Sequence, residues 1–476
     1  MKIMYVTSEA SPFAASGGLG DVMGALPAAV KGLDKENEIS VILPLYTSIE
    51  DEYRKKMKKL SEFSFYLSWR HVYCGIYQLK YNNVQYFFVD NEYYFNRKFM
   101  YGDFDDGERF AYFSCAVIEF MLNCRHIPDV LHANDWQSAL SVIYLKTKYA
   151  DNEELKNIKT LFTVHNIEYQ GKYSMDILGD VFSLDGKHRS IVELNGEINL
   201  LKGALVCADK LTTVSPTYAK ELSEGYFACG LESIINMYSY KMHGIINGID
   251  EKYFSPSSSN DLLKPYNAVT YKKGKAENKL ALQKDMGFEC NERVPLIAMI
   301  TRLTSAKGIE LVLRVLDELL NENIQFVILG TGEREYEDIL SDICSRYEKK
   351  ARAIIKFDRA LSKKLYAASD IFLMPSRSEP CGLAQMVACR YGAVPVVHAV
   401  GGLYDTIIPY DRENSNGFVF ENFNAHEMLF KIKEAIELYE NEKEWNALVK
   451  RTMKSDFSWD ASAKQYLEIC RNIIAR

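Results

Sequence analysis

No apolar run in this sequence approaches the ~18 consecutive residues that cross a bilayer as a helix, which argues against a membrane-embedded protein. The early run Ile3–Val6 is broken by Thr7, Ser8 and Glu9 and preceded by a single Lys2. That is too short for the hydrophobic region of a secretory signal. The 10 cysteines are scattered, with neither CxxC spacing nor a zinc pattern shared with the 8 histidines, so reduced thiols in a cytosolic protein are the simplest account. An excess of basic charge is also missing: 57 Lys and Arg face 64 Asp and Glu, a net charge of -7. Phosphate backbones and anionic membranes need basic surface, so neither is the expected main partner. A neutral polymer or a small molecule fits better. Low-complexity segments and visible internal repeats are absent as well. The expectation is a soluble, cytoplasmic globular protein.

What is present points to an α/β architecture. At 476 residues, 47% hydrophobic and 25% charged, the chain is long enough for two or three domains with full cores. Apolar strand patterns at Ile3–Val6, Ile39–Leu43, Gln85–Val89 and Val130–Ala133 alternate with helical patterns, among them Arg109–Leu122 and a helix from Trp136. This alternation predicts a doubly wound sheet. A Ser- and Pro-containing stretch, Ser255–Asn260, reads as linker or surface loop. A helix over Lys275–Gly287 then opens a second alternating set, with strands at Leu296–Thr301, Phe326–Gly330, Ile371–Met374 and Val394–Val397.

Candidate chemistry clusters where these strands end. After Ile371–Met374 comes Pro375-Ser376-Arg377-Ser378-Glu379-Pro380-Cys381-Gly382-Leu383, with a helix to follow. Glu379 then stands at the carboxyl end of a strand, the rim where open α/β sheets bind ligands. Gly382 and Leu383 would offer N–H groups at a helix N-terminus, suited to an anionic leaving group. A turn punctuated by Pro380 and Gly382, with Glu379 capping the helix, accounts for the same residues. Arg302 and Lys307, directly after another strand, could clamp a diphosphate, one bidentately and one as a point charge. Near the N-terminus, Gly17, Gly18 and Gly20 make a small-residue loop before a helix expected from Asp21. It is neither a Walker loop nor a GxGxxG fingerprint. His132 and His165 both follow strands; a structural, hydrogen-bonded role is the ordinary one for such histidines. Asp103-Phe104-Asp105-Asp106 contains a DxD, best read as acidic residues at the positive end of a helix, and no metal is assigned.

The stretch PSRSEPCGL, followed by GGLYDT at Gly401–Thr406, closely resembles the donor-site signature of the bacterial glycogen synthase and plant starch synthase family, retaining glucosyltransferases of glycosyltransferase family 5. The resemblance recurs in family order along nearly the whole chain: Gly-Gly-Leu at Gly17–Leu19, TVHNIEYQG around His165, GIINGID at Gly244–Asp250, TRLT with Lys307-Gly308, and the terminal Asp456–Trp459 segment. It implies the GT-B fold, two Rossmann-like domains facing a cleft. Residues 1–250 would form the acceptor side, 251–455 the nucleotide-sugar side, and 456–476 a helix crossing back. It implies transfer of glucose from a nucleotide sugar, ADP-glucose by the bacterial resemblance, to the non-reducing 4-OH of an α-1,4-glucan, without metal or pyridoxal phosphate. Glu379, His165, Arg302 and Lys307 would be the catalytic set. Gly17, Gly18, Asp21, Asn247, Phe357, Cys381, Gly382, Leu383, Gly401 and Gly402 would bind donor, with Phe357 beside the nucleobase unless it is a core residue. Asp135 would face the acceptor. Two departures stand out: Ala15 replaces a lysine of the family pattern, and His398, Ala399 and Val400 replace Arg-x-Thr. They motivate an alternative, a non-catalytic glucan-binding or regulatory homologue; a related GT-B enzyme using UDP-glucose is another.

Overall fold

Ile3–Val6 are apolar on both faces, as a central parallel strand requires, and in a computed structural model describing residues 1–475 Lys2–Val6 (β1) is buried along all but its first residue. The remaining strands of its sheet are Glu38–Pro44 (β2), Lys58–Leu67 (β3), Arg70–Tyr81 (β4), Val84–Asp90 (β5), Val130–Asn134 (β6), Lys159–Val164 (β7), Lys210–Thr213 (β8) and Met242–Gly244 (β9). They lie in the order β9-β8-β7-β6-β1-β2-β5-β4-β3. All neighbours run parallel except the β3–β4 and β4–β5 pairs. The order reverses between β1 and β6, so the chain leaves the two central strands towards opposite flanks. Helices Gly18–Leu33 (α1), Asp106–Asn123 (α2), Trp136–Lys146 (α3) and Pro216–Glu221 (α4) connect them. Ser215 caps α4, accepting from the Tyr218 N–H at 2.9 Å, and Pro216 fills its first turn, as their order predicts.

A second sheet is built from Leu296–Ile300 (β10), Gln325–Gly330 (β11), Ala351–Ile355 (β12), Ile371–Met374 (β13), Val394–His398 (β14) and Phe418–Phe420 (β15). Its order, β12-β11-β10-β13-β14-β15, is all parallel and matches the 3-2-1-4-5-6 arrangement of a Rossmann sheet. Tyr271–Asp285 (α5), starting earlier than the pattern suggests, covers it; Leu282, Leu296, Val327, Leu329 and Leu365 form one core cluster. Ile309–Asn321 (α6), Ala384–Tyr391 (α7) and Gly401–Thr406 (α8) follow β10, β13 and β14.

The chain thus separates into two compact units, Ile249–Ser458 and a first unit that joins Met1–Gly248 to the segment from Trp459. That segment's helix, Trp459–Ile474 (α9), packs on α1. Within it Ser462 donates to the Ile246 carbonyl at 2.5 Å, Tyr466 stacks near His132 at 5.6 Å, and Arg471 pairs with Asp34 at 3.2 Å. Ser255–Asn260 is not a free linker: Ser255, Pro256 and Ser259 are buried. Among the described residues no helix is long and apolar enough to cross a membrane.

Candidate active site

In the second unit the order of strands reverses between β10 and β13, and open α/β sheets bind ligands at such a point. The loops after these two strands carry the sequence's strongest candidates. They are locked together by backbone: the Arg377 N–H donates to the Ala306 carbonyl at 2.9 Å. Gly308, with φ of 69°, passes so close to Pro375 that a Cβ would lie 1.9 Å from its carbonyl oxygen. Only glycine fits there.

Across this junction the Lys307 ammonium lies 2.7 Å from Oε2 of Glu379, which also accepts from the Ser376 hydroxyl at 2.9 Å. Glu379 is 6% exposed, and both of these bonds fall on the same oxygen, Oε2. Lys307 is thus held by a carboxylate, while Arg302, the other cation of the expected clamp, is solvent-exposed. Gly382 and Leu383 sit where expected, Leu383 as the N-cap of α7. The turn before them is fixed by Gln385, whose amide donates to the carbonyls of Cys381 (3.0 Å) and Gly382 (2.9 Å) and to the Thr406 hydroxyl (3.1 Å). Cys381 is buried beneath it.

Gly401 and Gly402 open α8, and at Gly402 the structure corrects the reading of a phosphate-facing glycine. The Gly402 N–H is already taken by the Glu379 carbonyl at 3.1 Å, and a Cβ on Gly402 would lie 2.1 Å from the Cys381 oxygen. Glycine is needed so that the two loops can touch. Val400 is the N-cap of α8 and supplies no side-chain acceptor. His398 has a structural task instead: its Nδ1–H donates to the Ser376 carbonyl at 2.7 Å and its ring stacks on Phe420 at 5.2 Å, while burial lowers its pKa. Phe357 is not a core residue. It follows β12 and is 80% exposed.

The first unit repeats the logic at its own reversal between β1 and β6. The loop after β1 is organised by Glu9, which sequence reading passed over. Its buried carboxylate accepts from the Ser16 N–H (2.6 Å), the Ser16 hydroxyl (2.7 Å), the Gly17 N–H (3.3 Å) and the Tyr101 hydroxyl (2.7 Å). A carboxylate directly after a strand, the very signal used for Glu379, would have found it. Helix α1 begins at Gly18, not at Asp21, so Gly17 is its N-cap and Gly18 and Gly20 lie inside its first turn, where Asp21 is exposed and faces the Ser11 hydroxyl at 3.4 Å. Nothing lies within 4 Å of a Cβ built on Gly17 or Gly18, so the loop presents open space.

After β6 and β7 come Asp135 and His165. Asp135 holds a non-glycine φ of 56° and its Oδ1 accepts the His165 N–H at 2.7 Å. Burial pushes its pKa up to about 7, against the pull of the N–H donors of His165 and Asn166. Its carboxylate thus shapes the His165 loop. Burial lowers the His165 pKa to about 3, so the ring is neutral. The Asn134 amide nitrogen donates to the Val6 and His132 carbonyls, both at 3.2 Å, which turns Asn134 Oδ1 towards His165 Nε2 at 3.0 Å. Nε2 must then carry the proton, leaving Nδ1 as an acceptor. His132, as read from the sequence, is structural: buried, with Nε2 2.7 Å from the Thr163 hydroxyl. His126, half-buried against Ser40 at 3.3 Å, is too. Asn247, after β9, is buried with Oδ1 unpartnered among the described residues. Asp103, Asp105 and Asp106 bring carboxylate oxygens within 4.8 Å of one another at the start of α2, where fully buried Arg109 bonds Asp106 (2.5 Å) and Asp103 (3.3 Å) and Arg97 bonds Asp105 (2.7 Å). Two arginines account for the acids.

Comparison with known proteins agrees with this geometry. Residues 2–237 match the model of the starch synthase catalytic domain, and residues 286–452 that of glycosyl transferases group 1. The chain is 43% identical to a glycogen synthase of Alkaliphilus metalliredigens, over 99% of this chain and 100% of that one. It is equally 43% identical to a glycogen synthase of Bacillus subtilis, over 99% and 98%. The catalytic domain of starch synthase IV from Arabidopsis thaliana, solved with ADP and acarbose, superposes with a TM-score of 0.92 at 33% identity, covering 100% of this chain and 99% of that one. Sucrose-phosphate synthase from Thermosynechococcus elongatus, at 16% identity and a TM-score of 0.62, shares the fold. With GT-B architecture and full-length identity of this order, the chain belongs to the glycogen and starch synthase family of glucosyltransferases.

Proposed function

We propose that the chain transfers glucose from ADP-glucose to the non-reducing 4-OH of an α-1,4-glucan, with the anomeric configuration retained. The observation that carries this reading is the Lys307–Glu379 pair at the strand reversal of the second unit, beside the Gly382–Leu383 turn that opens α7. Breaking the anomeric bond places charge on the departing diphosphate. A fixed cation and a helix N-terminus aimed at that charge lower the barrier without reorganising at the moment of reaction. Lys307 and the turn amides take this role, with exposed Arg302 as a further phosphate contact. Glu379 Oε1, which neither the Lys307 nor the Ser376 bond uses, accepts sugar hydroxyls and positions the donor rather than forming a covalent bond. Phe357 provides a face for the nucleobase.

On the first unit His165 stays neutral, so it works as a hydrogen-bond partner and not as a general acid; its Nδ1 accepts a sugar hydroxyl. Asn247 Oδ1 does the same. Gly17 and Gly18 leave room for the ligand to approach the main chain. Asp135 serves the acceptor side by holding the His165 loop. The chain's own cations do the electrostatic work in this scheme, and neither a metal nor pyridoxal phosphate is called on. The cysteines are free thiols, which fits a cytoplasmic enzyme.

The names of the relatives and the ADP and acarbose held by the Arabidopsis enzyme support the substrate assignment. The deciding assay measures nucleoside-diphosphate release from ADP-glucose and from UDP-glucose, with and without glycogen, repeated in EDTA. Glycogen-dependent release from ADP-glucose that survives EDTA is the expected result. Release from UDP-glucose alone would overturn the donor, and release from neither would overturn the transferase.

A further inference from the structure

The β3–β4 hairpin outruns its sheet. Gly75 pairs with Asp90, the last residue of β5, so Arg70–Cys74 and their partners Phe63–Leu67 extend past the carboxyl edge of β5. The tip is built rather than loose. Ser68 holds a φ of 55°, uncommon for a residue with a side chain, and donates its N–H to Ser183 Oγ at 2.7 Å. Next to it the Trp69 indole N–H donates to Asp180 Oδ1 at 2.5 Å, and the Arg70 guanidinium lies 4.5 Å from the centre of the indole. Arg70 is itself held by the Asp180 carbonyl (2.7 Å), the Asp180 carboxylate (3.1 Å) and Glu108 (3.3 Å).

Despite these restraints Trp69 is 70% exposed, whereas Trp136, Trp445 and Trp459 are at most 8% exposed. Beside it is a cavity of about 310 Å³ that Tyr73, Asn91 and Tyr93 help to line. Tyr93 is also 70% exposed and stands edge-on to Tyr94, with centroids 4.9 Å apart. Two aromatic faces are thus fixed in advance and open to water, which removes most of the ordering cost of a stacking contact. Arg70, Asn91 and Glu108 edge them with donors and acceptors, and Arg70 is already paired with both the Asp180 and the Glu108 carboxylates, so its charge is not free for an anion. A ligand complementary to this surface is uncharged, flat on one face and hydroxylated at its rim. A pyranose ring has that chemistry; a nucleotide or an acidic peptide does not.

We propose that the hairpin tip binds an α-glucan chain, with Trp69 and Tyr93 as stacking platforms for its glucose rings, and so anchors a long acceptor outside the residues assigned to transfer. The proposal deepens the acceptor reading above and rests on it. In the sheet, β4 stands four strands from β6, roughly 20 Å at ~4.8 Å per spacing. A short acceptor lying at Asp135 would not reach the tip, whereas a polymer would.

The test uses the full-length chain with Trp69→Ala, Trp69→Phe and Tyr93→Ala, the last removing a side chain from the surface. Maltoheptaose is titrated against tryptophan fluorescence, and KM and kcat are measured with glycogen and with maltotriose. The expected result is a saturable change in wild-type fluorescence that Trp69→Phe abolishes. In both alanine variants KM for glycogen rises about tenfold, with kcat and the maltotriose constants unchanged. Normal glycogen KM in both variants would overturn the proposal while leaving the transferase reading intact. A Trp69-dependent response in a protein that turns over no donor would uphold the site and reject the transferase. Loss of a dimer on Trp69→Ala without any maltoheptaose response would make the tip a contact between copies and overturn the glucan assignment.

Discussion

The Lys307 ammonium and the Glu379 carboxylate meet at 2.7 Å although 72 positions separate them, because β10 and β13 are neighbours and their loops leave the same edge of the sheet. Neither charge is well solvated, and each is the other's nearest compensation. Lys307→Ala should therefore lower turnover about 10²–10³-fold, the usual effect of removing one preorganised charge from a transition state. It should also cost about 1–3 kcal/mol of stability, discounted from a fully buried pair because Lys307 is partly exposed. Adding Glu379→Gln should restore part of the stability and none of the turnover. Denaturant melts and initial rates on the single and double variants check both; turnover within twofold of wild type would remove Lys307 from the mechanism.

Glycines that look alike in the sequence should answer differently to alanine. Gly308 and Gly402 are wedged against the Pro375 and Cys381 backbones, so Ala there forces main chain apart and should cost about 2 kcal/mol or more. Gly17 and Gly18 have open space, so Ala should change stability by less than about 1 kcal/mol. Thermal melts give the first comparison. A raised donor KM in Gly18→Ala at unchanged melting temperature would show that the space belongs to the ligand; an unchanged KM would show that it does not.

Glu9 is the post around which the glycine loop is tied. Glu9→Ala leaves the Ser16 and Gly17 amides and the Tyr101 hydroxyl without their common acceptor, an expected loss of about 2 kcal/mol locally. Hydrogen exchange at Ser16 and Gly17 should accelerate about thirtyfold, following from that figure. Tyr101→Phe, which removes one of the donors, should show a smaller acceleration. Equal protection in Glu9→Ala and wild type would mean that the loop is held by something else.

Asp135 should make stability depend on pH. Its carboxyl titrates near pH 7 in the folded chain, against about 4 when unfolded, so between those values the folded state binds a proton that the unfolded state has released. The stabilisation this confers is complete below about pH 4 and is lost as pH rises through about 7. Asn at this position cannot titrate. The stability of wild type relative to Asp135→Asn should accordingly fall between pH 5 and 8, as chemical denaturation at fixed ionic strength would reveal; a constant difference across that range would contradict it.

Much of the site could be read from the order of residue types because strand ends are conspicuous: an apolar run that stops at Glu379, at Arg302 or at His165 announces a rim position. The partners that hold those residues were less legible. Glu9 binds the loop eight residues on and a tyrosine ninety-two residues on, and neither spacing has a local signature. The start of α1 was misplaced because glycine is a poor helix former, yet the helix begins at Gly18 with Leu19, Val22 and Met23 buried along its inner face. Gly402 was misjudged for a related reason. A glycine needed for loop-to-loop contact and one needed for ligand approach are identical in sequence and differ only in what lies 2 Å away.

The return of α9 to the first unit carries a consequence for biosynthesis. Trp459–Ile474 is the closing layer over α1 and β7, yet it is made after the whole of Ile249–Ser458. While Ile249–Ser458 is translated, a matter of ten seconds or more at roughly 5–20 residues per second, the older half of the molecule waits with its groove for Tyr466 and Leu467 uncovered. The younger half can finish folding first. The first unit is thus completed only after the second has been made, and a premature stop anywhere before Trp459 leaves a first unit that never closes.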